Sequence, residues 1–353
     1  MGYARDAHRE SHVRRFVFCL LAACSTPAEK DASTDGSTDP GTTDTPDSGD
    51  TGGTDTPDCT APDPAPADTR EGHPSDGWDW QPLGPLFEDT ATLGYTDGDL
   101  APTLVDTGSE LVVMFARKEG TVHQLLVSTS ADGETWTTPE PVTGLDVSSV
   151  EYPSLAYHDG TFHLWHGSGS VAYATSTDGR TFTPGDTVLR TGESGSFDGL
   201  SLLYPHAWIT NEGVKLYYTG FDGARFAIGL AENATPGDEF AAGTLLLQHD
   251  ADSWDNTSVG MAEVVPDSTG TPHFWYSGYD TVIADPGPWR IGRWDAETGA
   301  RSVSLPLSES GVDAWSTRDP AVVPHGDGWL MVYVGMGDDG VYRLLRATSR
   351  VCS

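Results

Sequence analysis

"YPSLAYHDGTFHLWHG", residues 152–167, is a short apolar strand, a glycine turn and an alternating strand rich in aromatic side chains. Four further segments follow the same plan: "APTLVDTGSELVVMFAR" (101–117), "YPHAWITNEGVKLYYTG" (204–220), "AEVVPDSTGTPHFWYSG" (262–278) and "DPAVVPHGDGWLMVYVG" (319–335). Alternation of apolar and polar residues marks half-buried strands, and Gly with Asp or Asn between them marks tight turns. The copies recur every 50–60 residues or so, the period of a propeller blade with four strands.

A third strand follows in each unit. "HQLLVSTSADGETW" (123–136) and "VAYATSTDGRTF" (171–182) are near copies, and 226–240, 289–300 and 341–350 fill the same slot. Their shared turn has Ser130, Asp132, Gly133 and Trp136, then Ser176, Asp178, Gly179 and Phe182. Gly allows the turn backbone and Asp accepts hydrogen bonds from it, so these residues are read as structural. A fourth strand follows each time except after the last unit. "WDWQPLGPLFE" (78–88) precedes the first unit without a blade of its own. It is expected to supply the missing strand and close the ring. The expected fold is all-β, one five-bladed propeller over 71–353.

The residues before it are of another kind. Arg14 and Arg15 precede "FVFCLLAA" (16–23), too short to span a bilayer as a mature helix and fitting a signal-peptide core. It runs into Leu21-Ala22-Ala23-Cys24, which resembles a bacterial lipobox. That resemblance implies cleavage after residue 23, a lipid on Cys24 and, with Ser25 next, an outer-membrane or cell-surface address. Residues 24–70 are Asp, Thr, Gly, Pro and Ser with almost no large apolar side chain, so a disordered acidic tether is expected. Cys59 and Cys352 remain, and in an exported protein they suggest a disulfide stapling the two ends of the domain.

The whole chain of 353 residues has 53 acidic and 19 basic side chains, a formal charge of −34. Nucleic acids and anionic lipid headgroups need Lys/Arg clusters, so neither is an expected partner. Contact with the membrane runs through the lipid alone, and a monomer is expected.

Five blades, aromatic second strands such as "FHLWHG" and "HFWYSG", the "ATSTDGRTF" turn, and Ser196-Phe197-Asp198 and Ser253-Trp254-Asp255 before their blades resemble the arabinanase and β-fructosidase superfamily of glycoside hydrolases. The likeness covers about residues 78–351. Sialidases are a weaker match, because their Asp-box carries an extra residue between Asp and Gly.

The resemblance implies a glycan ligand and three inner-strand acids that hydrolyse it. Inner strands line a propeller channel, and their opening residues crowd one mouth. Blade one offers Asp97 and Asp99; blade two, Glu151 and Tyr152; blade three, Tyr204 and His206; blade four, Met261 and Glu263; blade five, Arg318 and Asp319. Glycoside hydrolysis needs two carboxyl groups, and clustering raises the pKa of one of them. Glu151, Glu263 and Asp319 are therefore the candidate catalytic acids. Asp99, Tyr152, Tyr204, His206 and Arg318 are the candidate substrate contacts. No cofactor is expected; the carboxylates and His206 could hold calcium in the channel, though no ligand spacing demands it.

The order differs from the superfamily pattern. Its first acid falls in an Asp-Pro of blade one, where this chain reads "DGDLAPTL", with Ala101 before the Pro. Arg318-Asp319-Pro320 comes in the last blade instead. Two further readings stay open: a carbohydrate-binding propeller without catalysis, and a structural or protein-interaction propeller.

Overall fold

The computed structural model describes residues 78, 80–87, 100–119, 122–146, 150–279 and 288–350. Its regular elements are twenty strands in five four-stranded antiparallel sheets. Blade one is β2 (Thr103–Asp106), β3 (Leu111–Glu119), β4 (Val122–Ser130) and β5 (Glu140–Pro141). Blade two is β6 (Ser154–His158), β7 (Thr161–His166), β8 (Val171–Ser176) and β9 (Thr183–Leu189). Blade three is β10 (Ser201–Thr210), β11 (Gly213–Phe221), β12 (Phe226–Asn233) and β13 (Thr244–Leu247). Blade four is β14 (Ser258–Pro266), β15 (Pro272–Tyr279), β16 (Trp289–Trp294) and β17 (Arg301–Leu305). Blade five is β18 (Ser316–His325), β19 (Gly328–Met336) and β20 (Tyr342–Arg350), with β1 (Trp80–Pro85) paired to β20 as its outer strand. The sequence-expected closure is therefore what forms, and pairing β1 removes the open edge of β20.

The core lies between the blades, where apolar faces of neighbouring sheets meet. Between blades one and two, for example, Val112, Met114, Leu125 and Val127 pack on Leu155, Phe162 and Leu164. The Ser–Asp–Gly turns fasten these faces. Asp132 Oδ1 accepts from Ser130 Oγ (3.0 Å) and from the N–H groups of Glu134 and Thr135 (2.9 and 2.8 Å). Backbone and hydroxyl donors of this kind hold the Asp132 carboxyl below its ordinary value and bring Asp178 to about 2. Arg346 then reaches from blade five to the Gly133 and Glu134 carbonyls at 2.8 and 2.7 Å. A side chain at Gly133, which sits at φ +72°, would press on His325 and Leu330. The turn is thus part of the seam between the last blade and the first.

One distortion recurs at the head of every inner strand. Ala101, Tyr152, Tyr204, Met261 and Asp319 all have left-handed backbone, with φ between 36° and 55°. Each opens a β-bulge, where two residues face one on the second strand. In blade three Leu203 pairs with Thr219 and His206 with Tyr217, leaving Tyr204 and Pro205 opposite Tyr218. Blades four and five repeat this opposite Tyr276 and Tyr333. In blades one and two, Ala116 N–H to Leu100 O and Gly167 N–H to Glu151 O (both 2.7 Å) carry the pairing past the same irregularity. Four of the five bulges place a proline second, at a point where no ladder donor is needed.

The tyrosines opposite the bulges explain the Ser-Phe-Asp and Ser-Trp-Asp segments. Tyr218, Tyr276 and Tyr333 donate to buried Asp198, Asp255 and Asp313 at 2.7, 2.9 and 3.0 Å. Burial, reinforced by the carboxylate, raises all three phenols above their ordinary value. Each Asp thus holds its own blade's bulge in place. Tyr276→Phe is expected to cost about 2 kcal/mol, because it strips a hydrogen bond from a buried charged group; urea unfolding of the variant measures it.

Candidate functional site

The inner strands all begin at one end of the ring, beside the ends of the second strands: Ser201 pairs with Phe221, Ser258 with Tyr279 and Ser316 with Met336. That end is the mouth of the channel. The five left-handed residues converge just inside it. Ala101, Tyr152, Tyr204 and Met261 pack together with Leu203, Phe221 and Trp289 into an apolar plug. The Tyr152 and Tyr204 rings lie 4.0 Å apart, centroid to centroid. Both tyrosines are buried against each other and do not stand open as sugar-stacking faces. Against the plug, and lined in part by its Ala101, Tyr204 and Met261, is an axial cavity of about 30 Å³, room for a water or two. It is lined by Thr103, Ser154, His206, Glu263 and Asp319 among prolines.

The polar lining belongs to a series of bonds between blades. Two residues beyond four of the five left-handed positions, a side chain accepts the backbone N–H of the next blade's inner strand. Thr103 Oγ1 takes Leu155 N–H (3.0 Å), Ser154 Oγ takes Ala207 N–H (3.0 Å), His206 Nε2 takes Val264 N–H (3.1 Å) and Glu263 Oε1 takes Val322 N–H (3.0 Å). The fifth position is Ala321, which has no acceptor to offer blade one. Two left-handed residues are pinned by a second device: Met261 N–H donates to Thr219 Oγ1 (2.8 Å) and Asp319 N–H to Ser277 Oγ (3.0 Å).

The sequence-expected residues therefore divide. Glu263 and His206 meet: His206 Nδ1 lies 2.8 Å from Glu263 Oε2. With Oε1 on Val322, both Glu263 oxygens are engaged. His206 Nε2 also faces the Val264 carbonyl at 3.0 Å, so a neutral ring accepts from Val264 N–H and a charged one donates to Val264 C=O. Burial opposes the charged ring, but the Glu263 carboxylate and both hydrogen-bond partners prevail and raise its pKa above the ordinary value.

Glu151 is apart from this pair. Its Oε1 lies 3.2 Å from Nε2 of His123, which reaches over from blade one. Asp319 and Arg318 are neighbours in blade five, 4.0 Å apart from Oδ2 to Nε, and the Arg318 guanidinium lies over the Tyr342 ring at 5.1 Å. The three acids differ in access: the Glu151 side chain is 17% exposed, Glu263 8% and Asp319 3%. Asp97, Asp99, Cys24, Cys59 and Cys352 lie outside the described residues, as do the signal segment and tether. Asp198 and Asp255 prove to be bulge supports. Sequence reading missed His123, Thr103 and Ser154. The last two carry a legible signal, since each stands two residues after the left-handed position, just as His206 and Glu263 do.

No family model and no curated protein matches the chain. Solved structures do. A glycoside hydrolase aligns with a TM-score of 0.58 at 13% identity, covering 81% of this chain and 96% of its own. The α-L-arabinofuranosidase of Podospora anserina, in complex with cellotriose, aligns at 0.56 and 14%, covering 78% and 97%. A glycosyl hydrolase from Bacteroides ovatus aligns at 0.55 and 14%, covering 75% and 89%. The chain thus has the five-bladed propeller fold of these glycoside hydrolases, as its repeats implied.

The His206–Glu263 contact yields a pH test. Because the folded pKa is raised above 6.5, His206 adds stability that is complete below about pH 6.5 and lost as pH rises through the folded value. Glu263→Gln keeps an acceptor for Val322 but removes the charge. Its His206 is expected to titrate lower than in the parent, by NMR of the ring. Its stability deficit is expected to be larger near about pH 5.5 than near about pH 9.

Proposed function

We propose that this domain binds a glycan at the mouth of the channel, on a glycoside hydrolase frame, without cleaving it. The observation that carries the reading is the occupancy of the five equivalent left-handed positions. They hold Ala101, Tyr152, Tyr204, Met261 and Asp319, one carboxylate in five. Cleavage of a glycoside needs two carboxyl groups facing one bond from set distances. Asp319 is buried beside Arg318, and Glu263 has both oxygens engaged with His206 and Val322. Likeness of fold to enzymes that act on glycans supports the ligand class. On this reading the lipid on Cys24 and the acidic tether hold the domain at the cell surface.

A second reading, hydrolysis by Glu151, Glu263 and Asp319, is favoured by one observation. Glu151 is the most accessible of the three acids, and His123 within 3.2 Å can exchange a proton with it.

The full chain, screened on an oligosaccharide array and assayed for reducing-sugar release, separates them. Binding without release is expected. Release that falls by about a hundredfold or more in Asp319→Asn or Glu151→Gln would establish the hydrolytic reading instead.

A further inference from the structure

We infer that Trp315 is the stacking platform of this glycan site, and that the glycan it takes is neutral. The inference rests on the glycan-binding reading above and names the surface and ligand class. The position four residues before the left-handed residue is equivalent in blades three, four and five, where it is Leu200, Thr257 and Trp315. In each, the backbone N–H donates to the carbonyl that ends the second strand: Leu200 to Phe221 (3.0 Å), Thr257 to Tyr279 (3.0 Å) and Trp315 to Met336 (2.9 Å). The backbone of these three residues is thereby held at matching points beside the starts of the inner strands.

Two of the three are large, apolar and exposed. Leu200 is 36% exposed and Trp315 40%. Of the eleven tryptophans, Trp315 alone is exposed; the others are buried or half-buried. An indole left in water on a backbone pinned by a strand bond is poorly explained by packing within the domain. It suits the C–H face of a sugar ring, which is apolar and flat, while the ring's hydroxyls turn to polar neighbours.

Charge selects among sugars. Asp338 is exposed in the turn that follows Met336, the partner of Trp315, and Asp339 beside it is paired with Arg343. The chain as a whole carries −34. Hydroxyl groups donate to carboxylates, whereas uronate or sulfate groups would meet like charge. Neutral arabino-, xylo-, gluco- or manno-oligosaccharides therefore fit the rim, and polyuronates do not.

The test titrates the full chain with those neutral oligosaccharides and with oligogalacturonate, by calorimetry and tryptophan fluorescence. Binding of a neutral series is expected, weakened at least about tenfold in Trp315→Ala and less in Trp315→Phe, with an unchanged melting temperature in both. Equal binding by parent and Trp315→Ala would overturn the platform while leaving glycan binding standing. Preference for oligogalacturonate would overturn the neutral class. Absence of any binding by the parent, with its fold intact, would overturn the glycan reading itself.

Discussion

A left-handed residue that is not glycine costs roughly 1–2 kcal/mol, and this ring holds one at the head of each inner strand. What offsets the cost sits around it. A bulge absorbs the extra residue, and in four of the five blades a proline occupies the place where a donor would go unused. In blades three to five a tyrosine stands opposite, tied to a buried aspartate. In blades four and five a hydroxyl from the neighbouring second strand also takes the strained residue's own N–H. The axis of the propeller is built from these repeated local solutions, and the side chains that reach the channel do so because the bulge aims them there.

That construction constrains the chemistry. Glu263 and His206 occupy positions whose counterparts in blades one and two are Thr103 and Ser154, both acceptors for the next blade. A carboxylate there serves the wall of the ring before it serves any ligand. Its charge then sets the protonation of His206, which keeps a partner whether or not it carries a second proton. Asp319 is the one acid among the five left-handed residues that head the inner strands, and it shares its burial with Arg318. The residues that precede the inner strands have a different character, with an exposed indole at Trp315.

The blade plan was legible because it rests on short-range rules: alternation, glycine turns and a fixed repeat. So was closure by residues 80–85, since the last unit lacked a strand. His206, Glu263 and Asp319 line the axial cavity, whereas Glu151 stands apart against His123. Their partners were not foreseeable. His123 is 28 residues from Glu151 along the chain, and Val322 is 59 from Glu263; such contacts depend on how blades abut. Tyr152 and Tyr204 read equally well as sugar platforms or as packing, because an aromatic at a strand head has the same local signature in both roles. Only their mutual burial separates the two. Trp315 was passed over because its equivalence to Leu200 and Thr257 lies in a backbone bond, which the three residue types do not reveal.

A ring has no first position. The five strained sites share one backbone geometry, so a group suited to the channel mouth can be moved from blade to blade without altering the frame that presents it. Rotation by a fifth of a turn carries one of these sites onto the next. An acid in the last blade can stand toward the axis as one in the first blade would. For propellers of this construction, angular position around the axis is the natural coordinate for comparing one blade with the next.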